Sequence, residues 1–528
     1  MVLDSTFLGS CRRWWSLILV SMACLQVGQT LHAQGAKAAV RSMHSSLAAL
    51  DEKVEAAERA VKAIEALEGF DGKLAAVALM DAAGKLARFA VPVIEKRHKG
   101  LASEGGSGRL KRARYELRHI DDALEAVART FQKFRSKAAR EVMLARMSDH
   151  ASGLPLWLRL DLAVQVAGFP RVEIDWRRAA KATSIDVLLA QIVAASSLGS
   201  RAGSNCGEWL GTLLEHPNHD VRIQAAAALG KLAWPAAVVL MIDRLDHESG
   251  QVHEALLDAL TVLTSRNPGN SAGSWRAWLE SEGVAFTSGT MPMSKGQPRD
   301  QKTVADSNTK VSTYFGIEQI GDAILYVFDN SQSMQAKLGK AKKGGRPVTG
   351  PTAKSRWDLC RLELKVGLRG LRPDQKFNLV SFANKARSFE PAMQMATKAN
   401  VQRACEWIDD LKLEFQTNVF DALELAFMIA GYSSNGGYYA NEVDTVFFLS
   451  DGAPTIANLN ANGIIQDDAD RILSAVHRWN LLGRIKIHAV GLGLPNRKNE
   501  RKQNGRLWPI HFLKKLAAQN FGSYISRR

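Results

Sequence analysis

The sequence predicts two fold classes in one chain: an all-α N-terminal half and a C-terminal α/β domain with a doubly wound, mostly parallel sheet. In the first half, apolar residues recur every three or four positions, which is the period of a helix packed on one face. After residue 311, strand-like runs alternate with helix-like stretches. This alternation is typical of a parallel sheet covered by helices on both faces.

The overall charge is strongly basic. The 528 residues include 69 Lys and Arg against 53 Asp and Glu, which gives a formal net charge of +16. Such a balance favours an acidic protein as partner, with an anionic polysaccharide or surface as alternatives. A basic surface that only keeps the protein in solution is an equally good interpretation. No motif predicts recognition of a specific nucleic acid.

Residues 1–33 resemble an export signal. Arg12 and Arg13 precede an apolar stretch at 16–27, and residues 31–33 resemble a cleavage site. The pattern predicts an exported protein, in the periplasm, at the cell surface or secreted. Twin-arginine and lipid-anchor signals match less well. No segment after the signal is predicted to span a membrane.

Three cysteines lie beyond the signal, at Cys206, Cys360 and Cys405. Because no two of them form a CxxC pair, a zinc site or a disulfide framework is not expected. Buried free thiols are the prediction. A disulfide between Cys360 and Cys405 is the alternative.

Residues 34–150 are predicted to form a helical hairpin or a three-helix bundle. Apolar residues alternate in steps of three and four over 40–64 and again over 113–138, which is the spacing of a coiled-coil seam. A third helical stretch spans 74–94, and a Gly/Ser-rich break follows at 100–108. The break favours packing within one chain. A coiled coil that joins two chains is the alternative, so the number of subunits stays open.

Residues 155–283 carry a repeated helical pattern. The segments 220–232 and 251–263 align with an offset of about thirty residues, and a weaker copy begins at Asp186. The run of small residues at 225–228 allows neighbouring helices to approach closely. The stretch therefore resembles short HEAT-like repeats, which stack into a continuous array. A helical domain without regular stacking is the alternative.

Residues 284–311 are poor in large apolar side chains, which predicts a linker before an α/β domain at 312–528. The predicted strands are 323–328, 377–382, 445–449 and 485–490, and the predicted helices are 357–368, 401–411, 419–430, 467–479 and 511–520.

Oxygen-bearing side chains follow several of these elements. The apolar run 324–328 leads directly into Asp329, and Ser331 and Ser333 come next. Thr417 precedes a predicted helix, and Asp451 follows another predicted strand. Ligands of open α/β sheets bind beyond the carboxyl ends of the strands, and hard divalent cations prefer oxygen ligands. The pattern therefore predicts a cation site.

These residues resemble the metal-ion-dependent adhesion site of von Willebrand factor type A domains, whose sheet is Rossmann-like. The resemblance covers about residues 311–528 and consists of Asp329-x-Ser331-x-Ser333, Thr417 and Asp451. It implies that the three hydroxyls bind the metal and that both carboxylates act directly or through water. It also implies Mg²⁺ as cofactor, with Mn²⁺ or Ca²⁺ as alternatives. An acidic residue of a partner would supply the last ligand.

Two positions depart from the pattern of this family. Gln332 stands where Gly is common, and Phe415-Gln416 stands where a Gly pair is common before Thr417. Neither change removes a ligand, but both place bulk beside the metal.

The loop at 335–356 is rich in basic residues and has no acidic one. We hypothesise that it steers an acidic partner toward the cation, since clustered charge raises encounter rates. A flexible, solvated loop is the alternative. Its basic residues are Lys337, Lys340, Lys342, Lys343, Arg346, Lys354 and Arg356.

The sequence therefore predicts a binding or adhesion protein and no enzymatic activity. A haloacid-dehalogenase-type phosphotransferase needs a second Asp where Ser331 stands, and no His-Glu-x-x-His zinc motif occurs. One alternative is an assembly subunit of a metal-dependent or ATPase-driven complex such as a magnesium chelatase. The export signal argues against it. Another alternative is a metal site that only holds loops together.

Overall fold

The computed structural model places residues in two compact units. It describes residues 32–48, 55–103, 107–169, 174, 182, 184–232, 234–283, 312–338, 353–433, 436–452, 469–482, 484–494, 502–503, 506–507 and 509–527. One unit comprises Met1–Phe89 and Arg118–Pro298, and the other comprises Ala90–Leu117 and Arg299–Arg528. The predicted linker and nearly all of the predicted signal lie outside the described residues.

The N-terminal half is helical, as the sequence predicts. Helix α1 covers residues 32–48. The helices that follow are α2 (Glu55–Glu65), α3 (Lys73–Ala102), α4 (Ser107–Phe131), α5 (Lys137–Met147), α6 (Leu156–Gly168), α7 (Ile185–Leu198), α8 (Ser204–Thr212), α9 (His219–Leu232), α10 (Ala237–Leu245), α11 (Gly250–Thr264) and α12 (Ala272–Trp278).

The apolar seams of the first helices face the interior. Met43 and Leu47 of α1 are buried, and so are Val127 and Phe131 of α4. Helix α3 ends and helix α4 begins within the predicted Gly/Ser-rich break at 100–108. The structure groups Ala90–Leu117, the facing ends of these two helices, with the α/β unit, although the sequence pattern treats 34–150 as one region. A coiled coil between chains stays a prediction.

Helices α6, α7, α9 and α11 pack side by side in sequence order. Gly230 of α9 lies so close to α11 that a Cβ atom there would be 3.0 Å from the Cα of Ala259. Gly230 thus permits a close approach of these two helices, and stacking as a HEAT-like array stays a prediction. By length and composition alone, the stretch Ile185–Ala202 could cross a membrane, but 50% of it is buried within the protein. Packing of α7 between α6 and α9 accounts for its apolar composition equally well.

The α/β unit contains a seven-stranded sheet. The strands of the unit are β1 (Thr313–Tyr314), β2 (Ile317–Glu318), β3 (Ala323–Asp329), β4 (Lys376–Phe382), β5 (Ala386–Ser388), β6 (Gln394–Met395), β7 (Thr445–Ser450), β8 (Lys486–Leu492), β9 (Lys502–Gln503), β10 (Arg506–Leu507) and β11 (Tyr524–Arg527). Its own helices are α13 (Arg356–Arg369), α14 (Lys398–Asp410), α15 (Val419–Ile429), α16 (Ala469–Trp479) and α17 (Pro509–Gln519).

The order of the strands places the candidate site. The sheet runs β11-β8-β7-β3-β4-β5, with β6 also paired to β4. Strands β11, β8, β7, β3 and β4 are parallel, whereas β5 and β6 pair antiparallel with β4. The chain leaves β3 toward β4 on one side and later returns to β7 on the other. The carboxyl ends of β3 and β7 therefore flank a topological switch point, where open α/β sheets bind ligands.

Side chains of the sheet alternate between two cores. Leu325 and Val327 of β3 pack with α15, α16 and α17, while Ile324, Tyr326 and Phe328 pack with α13 and α14. Helices therefore cover both faces, which confirms the doubly wound class. The four predicted strands and five predicted helices lie within three residues of the observed bounds. The short strands β1, β2, β5, β6 and β11 were not predicted.

The three cysteines of the described chain are buried free thiols at Cys206, Cys360 and Cys405. This confirms the prediction and removes the alternative of a Cys360–Cys405 disulfide. Burial raises the pKa of Cys206 to about 12 and that of Cys360 well above its ordinary value. Burial thus disfavours the reactive thiolate form of these two cysteines.

Candidate metal centre

The carboxylate of Asp329 lies at the end of β3 with none of its surface exposed. Its Oδ1 accepts a hydrogen bond from the backbone N–H of Ser331 at 2.8 Å, and its Oδ2 accepts one from Ser450 Oγ at 2.8 Å. Burial and the neighbouring charge of Asp451 raise the pKa of Asp329 to about 7. Two hydrogen bonds thus offset only part of the cost of burying this carboxylate.

Two serines connect the end of β3 with the end of β7. Ser331 Oγ lies 2.9 Å from Ser333 Oγ, and Ser333 Oγ donates to Asp451 Oδ1 at 2.6 Å. Asp451 follows β7 directly and is buried. The structure therefore brings four of the five predicted residues into one connected cluster: Asp329, Ser331, Ser333 and Asp451.

Thr417 reaches the same edge of the sheet through backbone pairing of its loop. The N–H of Glu414 donates to the carbonyl of Asn330 at 3.0 Å, and the N–H of Gln332 donates to the carbonyl of Glu414 at 2.7 Å. Beyond Thr417, the N–H of Asn418 donates to the carbonyl of Ala383 at 2.7 Å. The loop is thus fastened on both sides of Thr417, whose side chain is buried.

Arg356 is a site residue that the sequence did not single out. Its Nη1 donates to Asp451 Oδ2 at 2.7 Å, and its Nη2 donates to the carbonyl of Gly493 at 3.3 Å. A Cβ atom on Gly493 would overlap the guanidinium of Arg356, so the glycine leaves room for it. The sequence counted Arg356 among the loop cations, whereas the structure places its charge against a predicted metal ligand.

Ser450 was also missed, because its hydroxyl faces Asp329 only once β3 and β7 are paired. Its position next to Asp451 was the one signal available. The described ends of the basic loop, 335–338 and 353–356, are joined by an antiparallel bridge between Lys337 and Ser355. Residues 339–352, with four of the seven basic side chains, lie outside the described part of the chain.

The two departures from the family pattern differ in structure. Gln416 has a φ of +71°, in the left-handed region where a glycine costs nothing and other residues are strained. Gln332, at the start of a short 3₁₀ turn, has no such strain. Phe415 is 73% exposed and stands two residues before Thr417. Large side chains therefore lie beside Thr417 in the sequence. One of them, Gln416, has a strained backbone conformation.

These residues fit a hard divalent cation. The cluster offers hydroxyl and carboxylate oxygens, which Mg²⁺, Mn²⁺ and Ca²⁺ accept. The pKa of Asp329, raised by burial and by Asp451, marks a carboxylate pair that a cation would stabilise. Within the described ranges, no group of three or more His, Cys, Asp or Glu side chains is placed to hold a metal. The candidate site has only two carboxylates, so it would depend on hydroxyl oxygens for its other protein ligands.

Comparison with known proteins gives a family match for the α/β unit. The von Willebrand factor type A domain family model matches residues 351–502. That range includes Thr417 and Asp451 but begins after Asp329, Ser331 and Ser333.

Several curated proteins are similar to parts of the chain. The pig inter-alpha-trypsin inhibitor heavy chain H2 is 29% identical over 131 residues, which cover 25% of this chain and 13% of that protein. The human heavy chain H4 is 24% identical over 312 residues, which cover 54% of this chain and 28% of that protein. The chain therefore spans only a small part of the length of these relatives.

Two solved structures are also similar to part of the chain. A von Willebrand factor type A protein from Catenulispora acidiphila is 16% identical, with a TM-score of 0.27, over 39% of this chain and 38% of that chain. Proximal thread matrix protein 1 from the mussel byssus, described with a zinc-occupied MIDAS motif, is 20% identical, with a TM-score of 0.25, over 39% of this chain and 41% of that chain.

Replacing Gln416 with glycine should leave the free energy of unfolding unchanged or raise it. Relief of the left-handed strain, about 1 kcal/mol, offsets the greater freedom of glycine in the unfolded chain. Gln332→Gly is the matched control and should lose about 0.5–1 kcal/mol, since no strain is relieved there. Urea denaturation measures both. Equal losses in the two variants would contradict the assignment of strain to Gln416.

Replacing Arg356 with glutamine should strengthen Mg²⁺ binding by roughly three- to tenfold at low salt, and by less at high salt. Glutamine keeps a donor for Asp451 but removes a positive charge that repels the cation. Arg356→Lys, which keeps the charge, should bind Mg²⁺ like the wild type. Isothermal titration calorimetry measures all three proteins. Weaker binding by Arg356→Gln would show that the guanidinium mainly orders Asp451.

Proposed function

We propose that this chain, whose residues 351–502 match the von Willebrand factor type A domain family, is an exported, non-enzymatic binding protein. It captures an acidic side chain of a partner protein through a divalent cation, with Mg²⁺ as the expected metal. The observation that supports this most is the connected cluster of Asp329, Ser331, Ser333 and Asp451 at the switch point of the sheet. Thr417 completes the proposed set of ligands.

The charges of the site favour an acidic ligand. With both carboxylates ionised by a bound divalent cation, their charge (−2), that of the cation (+2) and that of Arg356 (+1) would leave a net charge of +1. Hydroxyl ligands carry no charge, so they would leave the cation able to accept one more carboxylate ligand. Arg356 adds to this attraction, because its guanidinium offsets the charge of Asp451. The exposed ring of Phe415 offers an apolar contact beside that carboxylate.

The basic loop fits the same role. Lys337 and Lys354 lie on its two described ends, close to the bridge that joins them. Their charge, with that of the loop residues between them, would raise the rate at which an acidic partner meets the site. Neutralising the six lysine and arginine residues other than Arg356 should therefore slow association and weaken its dependence on salt.

Export to the cell envelope or beyond rests on the signal-like sequence at 1–33.

Asp329→Ala should abolish measurable Mg²⁺ binding in a calorimetric titration, whereas the wild-type chain binds. It should also lose chelator-sensitive capture of a ligand from envelope fractions. Ser388→Ala, on the partly buried strand β5 and outside the cluster, is the control and should bind as the wild type does. Equal Mg²⁺ binding by wild type and Asp329→Ala would refute the metal site. Capture that persists in chelator, or capture of an ATPase complex alone, would favour an assembly subunit.

A further inference from the structure

We infer that Arg97 and Arg114 are positioning residues of the metal centre: they hold the first turn of α15 and, through it, Thr417. The inference rests on the proposed function, because it concerns a ligand of the same cation site. Both arginines lie in Ala90–Leu117, the part of α3 and α4 that belongs to the α/β unit. They stand more than three hundred residues before Thr417 in the sequence.

Arg97 joins two acidic side chains of α15. It is 1% exposed, and its Nη2 lies 2.5 Å from Asp421 Oδ1 while its Nε donates to Glu424 Oε2 at 2.6 Å. Its Nη1 donates to the carbonyl of Leu110, on α4, at 3.2 Å. One guanidinium therefore ties α3, α4 and α15 together with directed hydrogen bonds.

Arg114 reinforces the same end of α15. Its Nη1 lies 3.4 Å from Asp421 Oδ1, and its guanidinium carbon lies 4.2 Å from the centre of the Phe420 ring. The guanidinium of Arg97 lies 5.5 Å from the same ring. Phe420 in turn packs edge-on against Trp479 of α16 at 5.4 Å. The two guanidinium groups thus hold the Phe420 ring in place at the start of α15.

Asp421 passes this constraint to the metal loop. Its carboxylate Oδ2 accepts a hydrogen bond from Asn418 Nδ2 at 2.7 Å, and its backbone N–H donates to Asn418 Oδ1 at 3.2 Å. Asn418 is the N-cap of α15 and directly follows Thr417. The path from Arg97 to Thr417 thus has two steps, through Asp421 and Asn418. Glu424 binds Arg97 but has no contact with the cap among those described.

Arg97 and Asp421 are held in their charged forms, so the contact between them is a charged hydrogen bond. Burial alone would lower the pKa of Arg97, but Glu424 and Asp421 raise it above its ordinary value. Burial alone would raise the pKa of Asp421, but Arg97 and Arg114 hold it below its ordinary value. Two arginines balance two carboxylates, and removal of one member leaves a buried charge without its partner.

The test is Mg²⁺ titration of the full chain, carried out well below the melting temperature of every variant. Arg97→Met and Asp421→Ala should each weaken Mg²⁺ binding by about tenfold, as loss of an outer partner of a metal ligand usually does. Glu424→Ala is the matched control: it opens the same buried cluster but leaves the Asp421–Asn418 contact. Its Mg²⁺ affinity should stay within about twofold of wild type.

A second control is Arg484→Met. Arg484 is a buried arginine of the same unit that donates to the carbonyl of Tyr439 at 2.7 Å, away from the metal loop. It should lower the melting temperature without a change in Mg²⁺ affinity. Unchanged affinity in Arg97→Met and Asp421→Ala, or equal weakening in Glu424→Ala and Arg484→Met, would overturn the inference and leave a purely structural role.

Hydrogen exchange of residues 414–419 without metal separates this inference from the proposed function. Faster exchange there in Arg97→Met and Asp421→Ala, but not in Glu424→Ala, supports positioning even if the wild type binds no Mg²⁺. If the wild type binds Mg²⁺ but exchange at 414–419 is the same in Arg97→Met and Asp421→Ala as in the wild type, the metal site stands and the positioning role is refuted.

Discussion

The buried carboxylate of Asp329 is the constraint around which the α/β unit is arranged. A carboxylate removed from water costs several kcal/mol unless hydrogen bonds or a cation offset that cost. The protein supplies a backbone N–H and the hydroxyl of Ser450, yet the pKa of Asp329 stays raised, to about 7, because of burial and Asp451. A divalent cation held at this site, as we propose, would offset that cost. Ser331 and Ser333, which in the structure form hydrogen bonds to each other and to Asp451, would then also serve as ligands of the cation.

The sheet order explains why these residues meet. Parallel strands place their carboxyl ends at one edge, and the chain reverses direction across the sheet between β3 and β7. That edge receives Asp329 and Asp451 from strands that are adjacent in space but about 120 residues apart in sequence. The loop before α15 joins them by backbone pairing with residues 330 and 332. Gln416, whose backbone lies in the strained left-handed region, also lies at this edge.

Sequence reasoning recovered most of the α/β unit because its signals are local. Apolar runs marked the strands, and the spacing of Asp329, Ser331 and Ser333 marked the candidate ligands. Short edge strands such as β11 carry few residues and weak alternation, so they escaped prediction. Arg356 was visible only as one of several loop cations, since its pairing with Asp451 depends on how the loop returns. Arg97 and Arg114 gave no signal, because their carboxylate partners lie on a helix more than three hundred residues later.

The buried arginines also change the view of the helical half. A pair of helices expected to pack only with its neighbours in sequence contributes its facing ends to the unit that holds the candidate metal centre. Ion clusters of this kind stabilise little in net terms, yet they fix one arrangement, because each unpaired alternative leaves a buried charge. We propose that the same ion cluster also fixes the position of the loop that carries Thr417.

The most direct test of the central claim is the position of a bound cation. Crystals of the full chain grown with Mn²⁺ should show an anomalous difference peak among the oxygens of Ser331, Ser333 and Thr417, next to Asp329 and Asp451. Crystals of Asp329→Ala under the same conditions should lack it. A wild-type structure at saturating Mn²⁺ with no peak there, or with the strongest peak elsewhere, would contradict the account.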